Sequence, residues 1–133
     1  MHYFAYGLSL NRQQMAQCCP NSHPRFSAEL PNYKLIFSGG SRQWRGGCAD
    51  IKHSRGDKVM GGLYEVAETD LARLDRAEGC PGSYSRLKIT VYRDIGEPME
   101  AFAYIRIRQA DEAKPSAEYL KIIQQGYREW GLI

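Results

Sequence analysis

Residues 86–107, RLKITVYRDIGEPMEAFAYIRI, decide the fold class. Leu87, Ile89 and Val91 alternate with Lys88, Thr90 and Tyr92. A period of two puts the first set on a buried face and the second toward water, which is the pattern of a half-buried strand. The GEP stretch then turns the chain into MEAFAYIRI, rich in strand formers, so the two segments predict a hairpin.

Immediately upstream, TDLARLDRAEGCPGSY at 69–84 reads as a short helix with Thr69 as its cap, stopping at Gly79. Leu71, Leu74 and Glu78 stand at i, i+3 and i+7, so the carboxylate continues the apolar stripe, while Asp70, Arg73 and Arg76 occupy the other side. A helix C-terminus carries partial negative charge and disfavours an anion. A glutamate turned inward there has its charged form disfavoured, which brings a carboxylate toward acid/base work near neutral pH. The plainer alternative is a frayed helix end with Glu78 in water or paired with an arginine.

Further out, HYFAYG at the start predicts a strand and a turn at Gly7, followed by a helix over 11–17 capped by Asn11. Strands are expected at 33–38, 48–52 and 59–66, the last holding the Gly61-Gly62 pair as a bulge or close backbone approach. Pro115-Ser116 opens a final helix in which Tyr119, Ile123, Tyr127 and Trp130 form one stripe fit to cover a sheet. Strands without regular βαβ alternation argue for α+β with a mainly antiparallel or mixed sheet of about six strands and three helices. Pattern alone leaves a small barrel and an open sheet equally open. No repeat, low-complexity tract or linker divides the chain, so residues 1–133 are expected to form one domain.

The chain's 133 residues, 43% hydrophobic and 25% charged, suffice for a real core and fit a soluble globular protein. No apolar run is long enough to span a bilayer and MHYFAYG lacks the features of a signal peptide, so no membrane partner and a cytoplasmic location are expected. The formal charge of +3 is modest and spread out, which does not argue for nucleic acid. SRQWRGG at 41–47 could in principle touch a phosphate backbone or stack on a base, but it reads as a solvated loop. Cys18, Cys19, Cys48 and Cys80 show no C-x-x-C pair, and His2, His23 and His53 lack ligand spacing, so reduced thiols and no metal are expected. Cys80 beside Glu78 reads either as a nucleophile or as a small turn residue.

AYGLSLN at 5–11 places a glycine between a strand and a helix. Such a turn can aim consecutive N–H groups at one anion, although most turns of this kind merely turn. With this segment in view the chain, from end to end, resembles the gamma-glutamyl cyclotransferase family (AIG2-like). YFAYGLSLN looks like that family's Y-F-A-Y-G-S-N-L signature, and GGLYEV followed by LDRAEG like its G-x-[LV]-Y-x-[LV] strand and L-D-x-x-E-G helix. GSYSRLKITV matches its tyrosine-bearing strand. KPSAEYLKIIQQGYREWGL is similar to the P-S-x-x-Y-x-x-x-[IL]-x-x-G segment of the glutathione-degrading branch.

The resemblance implies a small mixed or antiparallel β-barrel flanked by helices. It implies Glu78 as catalytic acid/base, and Tyr6, Gly7, Leu8, Ser9 and Leu10 as the cradle for a substrate's glutamyl end. Tyr84, Tyr104 and Tyr119 would be pocket tyrosines, with core packing as the alternative for each. The implied reaction cyclises a small-molecule γ-glutamyl amino acid or γ-glutamylamine to 5-oxoproline, releasing the amino acid or amine without a cofactor. Two other readings stay open: removal of a γ-glutamyl group from a biosynthetic intermediate or peptide, and a non-catalytic small-molecule-binding module. The chain departs from the family at Leu8-Ser9, where the pattern has Ser-Asn. A homodimer is an open expectation with no interface visible in the sequence.

Overall fold

The computed structural model describes residues 1–80 and 82–133. Five strands, β1 (His2–Ala5), β2 (His23–Ser41), β3 (Gly46–Glu65), β4 (Tyr84–Tyr92) and β5 (Pro98–Arg106), close into a barrel in the order β1-β3-β2-β4-β5. Neighbours run antiparallel except at the seam, where β1 meets β5 in parallel at Tyr3 and Phe102. Helices α1 (Arg12–Cys18), α2 (Glu68–Ala77) and α3 (Ala117–Glu129) flank it, and a single 3-10 turn, Leu8–Leu10, links β1 to α1. Among the described residues no helix is long and apolar enough to cross a membrane.

The strand count corrects the expected six. The segments predicted at 48–52 and 59–66 belong to one strand, β3, because the polar stretch HSRGDK between them does not end the pairing. Tyr33 pairs with His53 and Pro31 with Lys58, so residues 54–57 bulge opposite Asn32, which adopts φ 64°. Asn32 Oδ1 accepts the Gly56 N–H at 3.2 Å, and Gly56 supplies φ 88° at no steric cost. Cross-strand pairing outweighs the local turn composition. The 86–107 hairpin is present as read, in unbroken register from Tyr84↔Arg106 to Tyr92↔Pro98.

Alternation sorts the strands between two clusters. Phe4, Leu30, Ile51, Leu63, Val91 and Ala103 turn inward from all five strands, and α3 adds Tyr119 and Ile123. On the opposite face, Tyr3, Ala5, Tyr64, Phe102 and Tyr104 are covered by Leu10, Met15, Leu74 and Trp130. Gly62 permits this cover, since a Cβ there would stand 2.6 Å from the Trp130 ring. The glycine pair therefore marks a close approach.

Helix α2 starts earlier than the sequence suggests. Its N-cap is Ala67 and Thr69 lies inside the first turn. Asp70, expected on the solvent side, is buried, and Leu71 is half-buried. The stripe is thus rotated toward Asp70, Leu74 and Glu78. Asn11 caps α1 as read, accepting from Gln13 and Gln14, and at the Pro115-Ser116 opening of α3 it is Ser116 that caps, accepting the Tyr119 N–H at 3.2 Å.

Candidate active site

Glu78 sits one position beyond the last helical residue of α2, with φ −88° and ψ −1°. Gly79 follows at φ 76°, its N–H on the Arg76 carbonyl at 3.2 Å, and the Cys80 N–H reaches the Asp75 carbonyl at 2.8 Å. This pair of bonds is a Schellman motif, which satisfies carbonyls that would otherwise repel the carboxylate. Cys80 contributes here through its backbone. Its side chain lies outside the cleft described below.

The carboxylate lies under β1 and the following turn. Glu78 Oε1 accepts from the Tyr3 hydroxyl and from Ser9 Oγ, each at 3.0 Å. Oε2 accepts no bond from the described residues, which leaves one oxygen for proton exchange. Burial pushes the Glu78 pKa above its ordinary value, while the two hydroxyl donors, which favour the anion, pull it down. Burial is the larger effect, so the inward placement of the carboxylate has the electrostatic consequence its spacing implied.

Glu78 opens onto a cleft of about 650 Å³, lined also by Tyr6, Gly7, Leu8, Ser9, Tyr84, Tyr104 and Tyr119. Of the sequence-predicted residues, Leu10 alone lies outside this lining. It is fully buried, and its carbonyl accepts the Trp130 Nε1–H at 2.8 Å. The turn is closed by the Leu10 N–H on the Gly7 carbonyl and the Asn11 N–H on the Leu8 carbonyl, both at 3.1 Å. No protein acceptor among the described residues takes the Leu8 and Ser9 N–H groups. Gly7 must lack a side chain, because a Cβ would come within 2.8 Å of Ala49 Cβ.

The tyrosines hold the walls. Tyr119 accepts the Ala49 N–H at 2.9 Å and the Tyr84 hydroxyl donates to the Ala49 carbonyl at 3.3 Å, so two phenols grip the β3 backbone facing Gly7. The Tyr6 hydroxyl donates to the Tyr104 carbonyl at 2.5 Å, and the Tyr104 hydroxyl to Asp75 Oδ1, also at 2.5 Å. Arg86 Nε completes this chain 3.3 Å from Asp75. Burial, the largest cause in each case, raises the pKa of all five cleft phenols, Tyr84 to about 12. They are neutral donors at pH 7, as are the cleft thiols of Cys18 and Cys48, which burial also pushes up. Glu78 alone among these groups is drawn toward neutrality.

Several cleft residues escape a reading of the sequence. Tyr3 holds Glu78, yet its position in an apolar strand marks it only as core. The stretch taken as a solvated loop, 41–47, brings Ser41, Gln43 and Trp44 into the lining, with the Trp44 ring 5.5 Å from Tyr119. Arg106, at the end of β5, lies with its guanidinium 5.1 Å from the Tyr84 ring centroid. An aromatic residue between two arginines was the available signal for Trp44. Arg106 had none.

The comparisons agree with the fold. The family described as gamma-glutamyl cyclotransferase, AIG2-like, matches residues 3–127. A gamma-glutamylcyclotransferase of Homo sapiens is 33% identical over 135 residues, spanning 98% of this chain and 71% of the relative. A gamma-glutamylaminecyclotransferase of Bos taurus is 41% identical over a shorter stretch of 51 residues, 38% of this chain and 30% of that one. Among solved structures, a gamma-glutamyl cyclotransferase superposes with a TM-score of 0.95 at 31% identity, covering 99% of this chain and 80% of that one. Motif order, barrel closure and the match over residues 3–127 converge: the chain belongs to the gamma-glutamyl cyclotransferase family.

Proposed function

We propose that this protein is a gamma-glutamyl cyclotransferase that uses Glu78 as its acid/base. The observation that carries the reading is the Glu78 carboxylate itself, buried enough to raise its pKa, fixed through one oxygen by Tyr3 and Ser9, and open through the other to the cleft. Family membership supplies the reaction, and the geometry supports a role for each group.

Nucleophile and electrophile belong to one substrate, so the cleft has chiefly to hold the near-attack conformer. The N–H groups of Leu8 and Ser9 would receive the α-carboxylate and present the α-ammonium to Glu78. Glu78 takes one proton, and the freed amine attacks the γ-carbonyl carbon. The resulting oxyanion needs a donor from the cleft wall, for which Tyr119 is suited, since its hydroxyl accepts from Ala49 and its own proton meets no acceptor among the described residues. When the tetrahedral centre collapses, the bond from carbon to the departing nitrogen breaks and Glu78 returns its proton to that nitrogen; the vacated carboxylate then takes the second proton from the ring nitrogen and passes it to the amine, which leaves as an ammonium. The products are 5-oxoproline and a free amine or amino acid.

Two features support the finer parts of the reading. A cleft of about 650 Å³ suits a small-molecule conjugate. Four free cysteines accord with a reducing compartment such as the cytoplasm.

The test is release of 5-oxoproline from γ-glutamyl amino acids and γ-glutamylamines by the wild type and by Glu78→Gln. A loss on the order of 10²–10⁴-fold in a folded variant is expected for removal of a general acid/base. Equal release from both proteins would remove Glu78 from the mechanism, and no release from any conjugate would turn the reading toward a binding module.

A further inference from the structure

Asp75 stands one helical turn before Glu78, so the two carboxylates leave the end of α2 on the same side. Asp70 and Leu74 are the buried residues of that helix, and Ala67 caps its N-terminus without a side-chain bond. Where its last turn lies therefore depends on polar contacts near Glu78. Asp75 makes one of them. Its Oδ1 accepts the Tyr104 hydroxyl at 2.5 Å and lies 3.3 Å from Arg86 Nε. Arg86 and Tyr104 are direct partners in the β4–β5 ladder, so their side chains leave the hairpin on one face and meet the same oxygen. Tyr104 is buried, whereas the Arg86 side chain is 42% exposed, so the phenol provides the stronger hold.

The Tyr104 ring carries that hold back to the acid. It stands edge-on to Tyr3 with centroids 5.7 Å apart, and Tyr3 donates to Glu78 Oε1 at 3.0 Å. The path closes on itself: Asp75 to Tyr104, Tyr104 to Tyr3, Tyr3 to Glu78, and Glu78 back to Asp75 through one turn of helix. Hydroxyls from β1 and its turn can hold the carboxylate in place only while the helix end stays beside them.

We propose that Asp75 is a positioning residue, pinning the end of α2 to the β4–β5 hairpin and thereby fixing where Glu78 meets the substrate. The inference rests on the cyclotransferase reading above and adds to it a residue outside the cleft lining. Asp75 touches neither the substrate nor the transferred proton and acts through its bond to Tyr104.

With the pin removed, the helix end moves toward water and Glu78 loses the burial that raises its pKa. The titratable groups around the carboxylate are phenols and thiols: Tyr3 and Tyr6 from β1 and its turn, Cys18 from α1, Cys48 from β3, Tyr84 and Tyr104 from β4 and β5, and Tyr119 from α3. Burial raises each of them, and the cleft arginines Arg76 and Arg106 keep their charge, so none of these groups changes charge on the acid limb.

The experiment compares Asp75→Asn with Asp75→Ala. Both remove the charge, but Asn keeps the accepting oxygen, so a difference between them reports the bond. Asp75→Ala is expected to lower kcat by roughly 10- to 100-fold, the scale of a displacement of about 1 Å, with KM within about threefold. Its acid limb should move down toward the ordinary carboxylate value of 4.5. Asp75→Asn should stay within about threefold of the wild type in kcat and keep its limb. An Ala variant with wild-type kcat and limb, or an Asn variant that loses as much as Ala, would overturn the assignment. Should Asp75→Ala not fold, Asp75→Ala/Tyr104→Phe removes the same bond without leaving a buried phenol unpaired, and it takes the place of Ala in each comparison. Titration of the Glu78 carboxyl carbon by NMR, identified by its loss in Glu78→Gln, separates the two claims. If the wild type releases no 5-oxoproline, the cyclotransferase reading fails, while a midpoint lowered in Ala and kept in Asn still supports Asp75 and one midpoint shared by all three proteins still removes it.

Discussion

Ser9 Oγ lies 3.0 Å from Glu78 Oε1, a bond between the turn after the first strand and the end of α2, 69 positions apart. Together with the Tyr3 hydroxyl it opposes the effect of burial on the carboxylate. Because Glu78 must be ionised to accept a proton, the acid limb of kcat/KM should lie above the ordinary carboxylate value of 4.5. Ser9→Ala and Tyr3→Phe each remove a donor that favours the anion, so each should move that limb to higher pH. A pH–rate profile for the three proteins checks this, and a limb that stays fixed in both variants would refute it.

The same carboxylate predicts a stability effect of opposite sign to the usual salt-bridged acid. Its folded pKa is raised, so below the unfolded value both states carry the proton and nothing is lost. As pH rises from about 4.5 through the folded pKa, the folded state alone bears the cost of a buried charge. Glu78→Gln should therefore melt higher than the wild type at neutral pH, with the difference vanishing near pH 4. Thermal melts across that window test the sign.

Gly7→Ala should place its Cβ 2.8 Å from Ala49 Cβ, a contact that neither short side chain can relieve by rotation. Overpacking of this kind costs about 1–3 kcal/mol, and a shift of about 1 Å in the turn can cost on the order of 10²-fold in rate. The double variant Gly7→Ala/Ala49→Gly removes the opposing methyl and should recover most of the activity. Failure of that rescue would show that the turn needs glycine for some other reason.

Tyr119→Phe leaves the buried Ala49 N–H without its acceptor, which costs about 1–3 kcal/mol. The expected result is a melting point several degrees lower. Tyr84→Phe should cost less, since its 3.3 Å bond is the longer of the pair and Ala49 keeps its grip from Tyr119. Denaturant midpoints of the two variants rank them.

Much of this was legible in the chain because it is local. The 86–107 alternation, the Asn11 cap, the opening of α3 at Pro115-Ser116 and the stop at Gly79 depend on neighbours in sequence and are present as read. The continuity of β3 was hidden because the bulge at 54–57 has the composition of a turn and is held by a partner strand. Glu78 stood out through its helical spacing. Tyr3 did not, because an aromatic residue in a strand looks the same whether its hydroxyl packs or donates.

The two bonds that fix Glu78 span 69 and 75 positions, and the Tyr6 to Tyr104 bond spans 98. No short stretch of the chain can assemble such a site, and loop closure of this length precedes any reward from the contacts it makes. Refolding should accordingly show helical signal early and turnover late, with activity returning only in the slow phase that joins β1 to β5. A continuous 5-oxoproline assay during refolding would time that seam directly.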